Sequence, residues 1–163
     1  MIMGQRLSEL CSQGPYLEED IAISNIALDY LGQASMLYEL LKKAGGDKHS
    51  VDDYVFHRNE RNYYNLLLVE QDNGHFGKTM AKIFLYSTYQ KILYSYLSKS
   101  TNDDIKAIAL KSIKEVNYHF KHSRAWVLRL GDGTKESKVK IQESIDELWR
   151  FTGEIFESDD VEN

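Results

Sequence analysis

The stretch Glu115-Val116-Asn117-Tyr118-His119 lies inside a long helical pattern, and its reading decides the fold. In helical bundles that hold two metal ions, Glu-x-x-His puts a carboxylate and an imidazole one turn apart on one helix, aimed at the same ion. Here the residue three before His119 is Val116, so a pair of methyl groups stands at the ligand position, while Glu115 sits at i−4 on the same side. The pattern is a di-metal half-site with its carboxylate missing. A scaffold is therefore favoured over an oxidase.

Outward from that motif, Ile105, Ala109, Ser112, Val116, His119, Ser123 and Trp126 fall on one face of a helix from about Asp104 to Leu130, which aims His119 at the interior. Thr101, Asn102 and Asp103 offer N-cap oxygens before it, and Gly131-Asp132-Gly133 closes it. Upstream, Phe76, Met80, Ile83, Ser87, Gln90, Tyr94 and Leu97 keep helical spacing to Ser98, after turn chemistry at Gln71-Asp72-Asn73-Gly74. Downstream, Ile141, Ile145, Leu148, Trp149, Thr152, Ile155 and Phe156 predict a last helix from about Lys135 to Glu157.

Near the start, residues 3 to 13 form a short amphipathic segment stopped by Gly14-Pro15, with Pro15 placed to open the next helix. Glu18, Glu19 and Asp20 complement the positive end of that helix, whose wide apolar face runs to Leu41 and whose C-cap is Gly45-Gly46. Between 47 and 75 the spacing predicts two short helices, one around Val51 to Phe56 and one from Asn62 to Val69. Four long helices with short connectors make an antiparallel four-helix bundle with short additional helices, an all-α fold in a single domain over 1–157, followed by an acidic tail at 158–163.

Composition permits this. The 163 residues are 42% hydrophobic, enough to bury one sizeable core, and the single proline leaves almost nothing downstream to break a helix. A net charge of −5 argues against nucleic acid as a partner. Every apolar run is interrupted by Lys, Glu, Asp or Asn, so no membrane span is expected. One cysteine, Cys11, cannot make an internal disulfide, and with no leader pattern before it the expected compartment is the cytoplasm.

The polar candidates are Glu9, Asp29 and Gln33, beside Glu115 and His119 of the opening motif, with Val116 at its missing carboxylate position. Asp29 and Gln33 are one turn apart and could imitate an acid with a nitrogen ligand, but an amide is a poor substitute for imidazole at a redox metal. Their simpler reading is a buried hydrogen-bonded pair. Glu70, Asp72 and His75 sit in turn-rich sequence, where capping or solvation accounts for them. His119 alone reads as a hydrogen-bonded core residue, and His122 belongs at the boundary. There is no phosphate loop, Cys-x-x-Cys or His-Glu-x-x-His. Of Tyr86, Tyr89, Tyr94 and Tyr96 on one helix, not all can face one core, so some are expected on a surface that meets a partner.

Several stretches together resemble a known family. They are Leu7-Ser8-Glu9-Leu10-Cys11, Glu18-Glu19-Asp20-Ile21-Ala22 leading through Leu28-Asp29-Tyr30-Leu31-Gly32-Gln33-Ala34, and Asn65-Leu66-Leu67-Leu68-Val69-Glu70-Gln71. Ile113-Lys114-Glu115, Tyr118-His119, Ser123-Arg124, Trp126, Leu130-Gly131, Gly133-Thr134 and Leu148-Trp149-Arg150-Phe151-Thr152 follow in order. This set resembles the PaaC family, the non-catalytic C component of the bacterial phenylacetyl-CoA epoxidase complex. The resemblance implies a ferritin-like fold and a structural role within an oxygenase complex of phenylacetate catabolism. It further implies a homologous catalytic partner that holds the di-iron centre, with no cofactor in this chain.

By the same resemblance, the catalytic relative's Glu-Glu-x-x-His pattern falls on Glu115, Val116 and His119, so the site here is degenerate. Glu9 matches a first-helix metal glutamate, and Asp29 to Gln33 falls where the other Glu-x-x-His would lie, with Gly32 or Gln33 in place of histidine. Members usually continue into a further C-terminal helical segment, whereas this sequence stops at Asn163 and reads as a trimmed or naturally short relative. The rival readings are a metal-dependent oxidase using Glu9, Asp29, Glu115 and His119, and a self-associating helical scaffold, a homo-oligomer.

Overall fold

A computed structural model describes residues 1–45 and 50–157. Apolar residues three and four apart become seven α-helices among them: α1 Ile2–Ser8, α2 Leu17–Gly45, α3 Val51–Phe56, α4 Leu67–Glu70, α5 Phe76–Leu97, α6 Asp103–Gly131 and α7 Lys135–Trp149. No strand occurs among the described residues. The all-α, ferritin-like bundle expected from the sequence is what forms.

The helix starts follow the capping chemistry. Asn102 Oδ1 accepts from the backbone N–H groups of Asp104 and Ile105 at the head of α6. Thr134 Oγ1 accepts from Ser137 N at α7, and Ser50 with Asp53 forms a reciprocal capping box at α3. His75, read as a turn residue, caps α5 by accepting from Lys78 N through Nδ1. Each such acceptor satisfies a backbone donor that a helix start leaves without an intrahelical partner.

Buried side chains gather in three groups, and α5 contributes to all of them. Met3 and Leu7 of α1, Ile23, Ile26, Ala27 and Tyr30 of α2, and Val69 of α4 close over Met80 and Ile83 of α5. Leu68, Ile141 and Leu148 pack on Ala81. Val116 and Ala109 of α6 pack on Tyr94. α5 and α6 make the most extensive pairing, α2 lies against α1 and α6, and α7 covers α5 and α6. Each fully buried Leu, Ile or Met contributes about 1.5–3 kcal/mol relative to exposure, so this inner helix carries much of the fold's stability.

Several expected boundaries move. The segment 3–13 is helical only to Ser8, because Ser12 takes a left-handed conformation at φ 67° that ends the turn. Pro15 precedes α2 by two residues instead of opening it, and Gly14 N donates to Asp20 Oδ1 there. The expected helix over Asn62–Val69 is replaced by a 3-10 turn, Glu60–Asn62, extended chain and then α4. The cause is lateral: Tyr63 donates its hydroxyl to Val55 O while the Arg58 guanidinium lies 4.3 Å over its ring, holding the backbone extended. The last helix stops at Trp149 and ends in a 3-10 turn, Gly153–Phe156, since Thr152 Oγ1 donates to Trp149 O and Gly153 offers little helix propensity. The Gly46 half of the expected C-cap and the acidic tail 158–163 lie outside the described residues. No helix among the described residues is long and apolar enough to cross a membrane.

Candidate functional site

The stripe read from the sequence is real: Ala109, Ser112, Val116, His119 and Ser123 of α6 are all buried. This happens because helical period and apolar spacing coincide on that face, which must then meet α2 and α5. His119 is fully buried, its ring 4.7 Å from that of Tyr30 on α2. Its Nε2 lies 2.9 Å from Asp29 Oδ2, also on α2. Burial pushes the imidazole below its ordinary value, and the opposing pull of Asp29 is the smaller effect. The ring is thus neutral at pH 7, with Nε2–H donating to the carboxylate. Nδ1 is buried with no protein partner.

One turn along, Gln33 is buried and spans α2, α6 and α5. Its Nε2 donates to Glu115 Oε2 at 2.8 Å, and its Oε1 accepts from the Tyr94 hydroxyl at 3.3 Å. Asp29 and Gln33 therefore do not bond to each other, as their spacing suggested. Each reaches across the helix seam to a residue of α6 instead. Side chains at i and i+4 share one side of a helix but run side by side, so a partner on the facing helix can be met more directly.

Val116 is fully buried, with its methyls among Tyr94, Ala109, Leu97 and Ile113. His122 sits at the boundary as expected: its Nε2 is 3.1 Å from Glu19 Oε2, without hydrogen-bond alignment. That same Glu19 oxygen accepts from Trp126 Nε1 at 2.9 Å. Four of the expected site residues are thus gathered along the α2–α6 seam as two closed pairs, with Val116 against α5.

Glu9 departs from this arrangement. It caps the end of α1, half exposed, pairs with Arg6 at 3.1 Å and accepts from Asn73 Nδ2 at 3.3 Å. Among the described residues no three His, Cys, Asp or Glu side chains converge as metal ligands would. A di-iron pair takes four carboxylates and two histidines from four helices. The side chains here offer one imidazole bound to one carboxylate, an amide bound to another, and methyls at the position three residues before the imidazole, so the donor set does not fit that group. Cys11 is exposed in the turn after α1, not on a helix.

The residue that sequence reading missed is Lys82 of α5, fully buried. Its ammonium donates to Gln71 O at 2.7 Å and Asn73 Oδ1 at 2.9 Å, while Asn73 Nδ2 donates to Arg6 O. Lys82 therefore ties the loop before α5 to α1, close to Glu9. Its signal was there: a lysine between Met80, Ala81 and Ile83, on the face that helical period assigns to the core. Desolvation lowers its pKa to about 8 from the ordinary 10.5. The unfolded chain then holds more protons between those values, so stability rises as pH increases through them. Between pH 8 and pH 10, urea unfolding is expected to show a change in stability on the order of 2 kcal/mol more favourable for the wild type than for Lys82→Met, the comparison cancelling the buried tyrosines, whose raised pKa values act in the opposite sense. An identical change in the variant would place its origin elsewhere.

The sequence matches the family described as phenylacetic acid catabolic protein over residues 1–163. It is 41% identical over 162 residues to the C component of 1,2-phenylacetyl-CoA epoxidase of Escherichia coli strain K12, an alignment that covers 99% of this chain. The chain spans 65% of the length of that curated relative.

Proposed function

Because this chain belongs to the phenylacetic acid catabolic protein family, we propose that it acts in phenylacetate catabolism as an auxiliary, non-catalytic subunit of an epoxidase complex, docked on a homologous subunit that carries the di-iron centre. One observation carries the non-catalytic part. The groups that could ligate are spent on each other, Asp29 with His119 and Gln33 with Glu115, while Val116 seals the remaining position with methyls. Taking a member of either pair to hold an ion would break a hydrogen bond across the seam, at a cost of about 1 kcal/mol each.

A seam closed in this way is rigid and suits a scaffold. Its polar pairs fix the register of α2 against α6, and an outer surface held in register can present a constant shape to a partner. The chain itself needs no cofactor in this reading, and a reducing cytoplasmic compartment suits its one exposed cysteine.

Co-expression with the homologous di-iron subunit tests the proposal. A complex should co-purify, with iron tracking the partner. This chain refolded alone with ferrous iron should hold far less than the roughly two ions of an intact di-metal bundle. Two irons per chain in the isolated protein would establish the oxidase reading instead.

A further inference from the structure

The outward face of α6 carries Lys106, Lys111, Lys114, Lys121 and Arg124, all exposed, within a chain whose net charge is −5. Charge is therefore segregated. The only acid between Lys106 and Arg129 is Glu115, and it turns inward to Gln33. None of the five cations makes an ion pair, hydrogen bond or ring contact within the described residues, whereas α7 pairs Lys140 with Glu136 across one turn. Lys111 with Lys114, and Lys121 with Arg124, are like charges three residues apart, an arrangement that weakens a helix. Leu110, Tyr118 and Leu128 stand among these cations, 50%, 47% and 48% exposed.

We infer that this face of α6 is the surface on which the partner subunit docks, and that it meets an acidic, apolar-studded helical surface there. The inference rests on the auxiliary-subunit reading above. Charge complementarity selects the occupant: five uncompensated cations attract an acidic surface, and the interspersed Leu and Tyr side chains supply the apolar contact that makes association persist. A small anion would need a concave site with converging donors. The cleft beside this face, between α2 and α6, instead presents Glu39 and Asp104, and its Lys43 is already paired with Asp104 at 2.5 Å. A nucleic acid would have to approach a protein that is acidic elsewhere.

The double variant Lys114→Glu/Lys121→Glu tests this, with Lys135→Glu/Lys138→Glu on α7 as a control of equal charge change. All four lysines are exposed, so unchanged thermal melts confirm folding. Association of each full-length variant with the homologous di-iron subunit is measured at low and high salt. The expected result is an association rate constant lowered roughly tenfold or more by the α6 variant, with weaker salt dependence, and little change for the control. Equal binding by wild type and both variants overturns the inference while leaving the auxiliary role standing. If the wild-type chain never binds that subunit, both fall. A salt-sensitive self-dimer, or binding to duplex DNA or anionic vesicles abolished by the α6 changes while subunit association persists, also overturns it.

Discussion

Val116→Glu, which restores the Glu-x-x-His spacing on α6, is expected to destabilise the protein by about 3–5 kcal/mol without creating a metal site. Position 116 is fully enclosed by Tyr94, Ala109 and neighbouring aliphatic groups, which offer a carboxylate no cation. The new side chain must stay protonated or force the α5–α6 packing apart. Metal does not rescue it, because Asp29 remains bound to His119 and Gln33 still takes the place of an imidazole. For a chain of this size the loss corresponds to a melting temperature lower by on the order of 10 °C. Thermal melts with and without ferrous or manganous ion are the measurement. A variant that binds stoichiometric metal and melts higher than the wild type would mean that one substitution separates this chain from a working site.

His119→Ala is the second large effect, a loss of about 2–4 kcal/mol seen as a lower urea midpoint. The cost comes chiefly from the cavity beside Tyr30, since Asp29 is a third exposed and water can take over its lost hydrogen bond. The same residue sets a pH dependence. Its folded pKa is lowered, so the unfolded chain binds the extra proton first, and stability is complete above the ordinary histidine value of 6.5 and declines as pH falls below it. His119→Gln, which keeps a donor toward Asp29 without titrating, is expected to flatten that decline. A slope between pH 7.5 and 5 unchanged in the glutamine variant would assign the effect to other groups.

Sequence by itself determined the class, the long helices and the burial of the His119 stripe. Period and capping are local properties, written in residues three and four apart: Asn102 heads α6 and Ala109 to Ser123 face inward for reasons contained in α6 alone. It also placed residue types that are poor metal ligands, Val116 and Gln33, on inward faces. Tertiary structure decided the partners. Asp29 and Gln33 look like a pair along one helix, yet each bonds to α6, because only the approach of two helices determines which side chain offers the nearer donor or acceptor. Glu9 was placed among the vestigial ligands by resemblance, but α1 ends before it and turns it toward Arg6 and Asn73. Lys82 shows the same limit from the other side. A lysine on an apolar stripe could snorkel to water, and only the fold brings the Gln71 carbonyl and the Asn73 amide close enough to keep its charge inside. Local spacing dictates which face of a helix is buried; the pairing of polar groups on that face belongs to contacts as many as 107 residues apart in the chain, which no local pattern encodes.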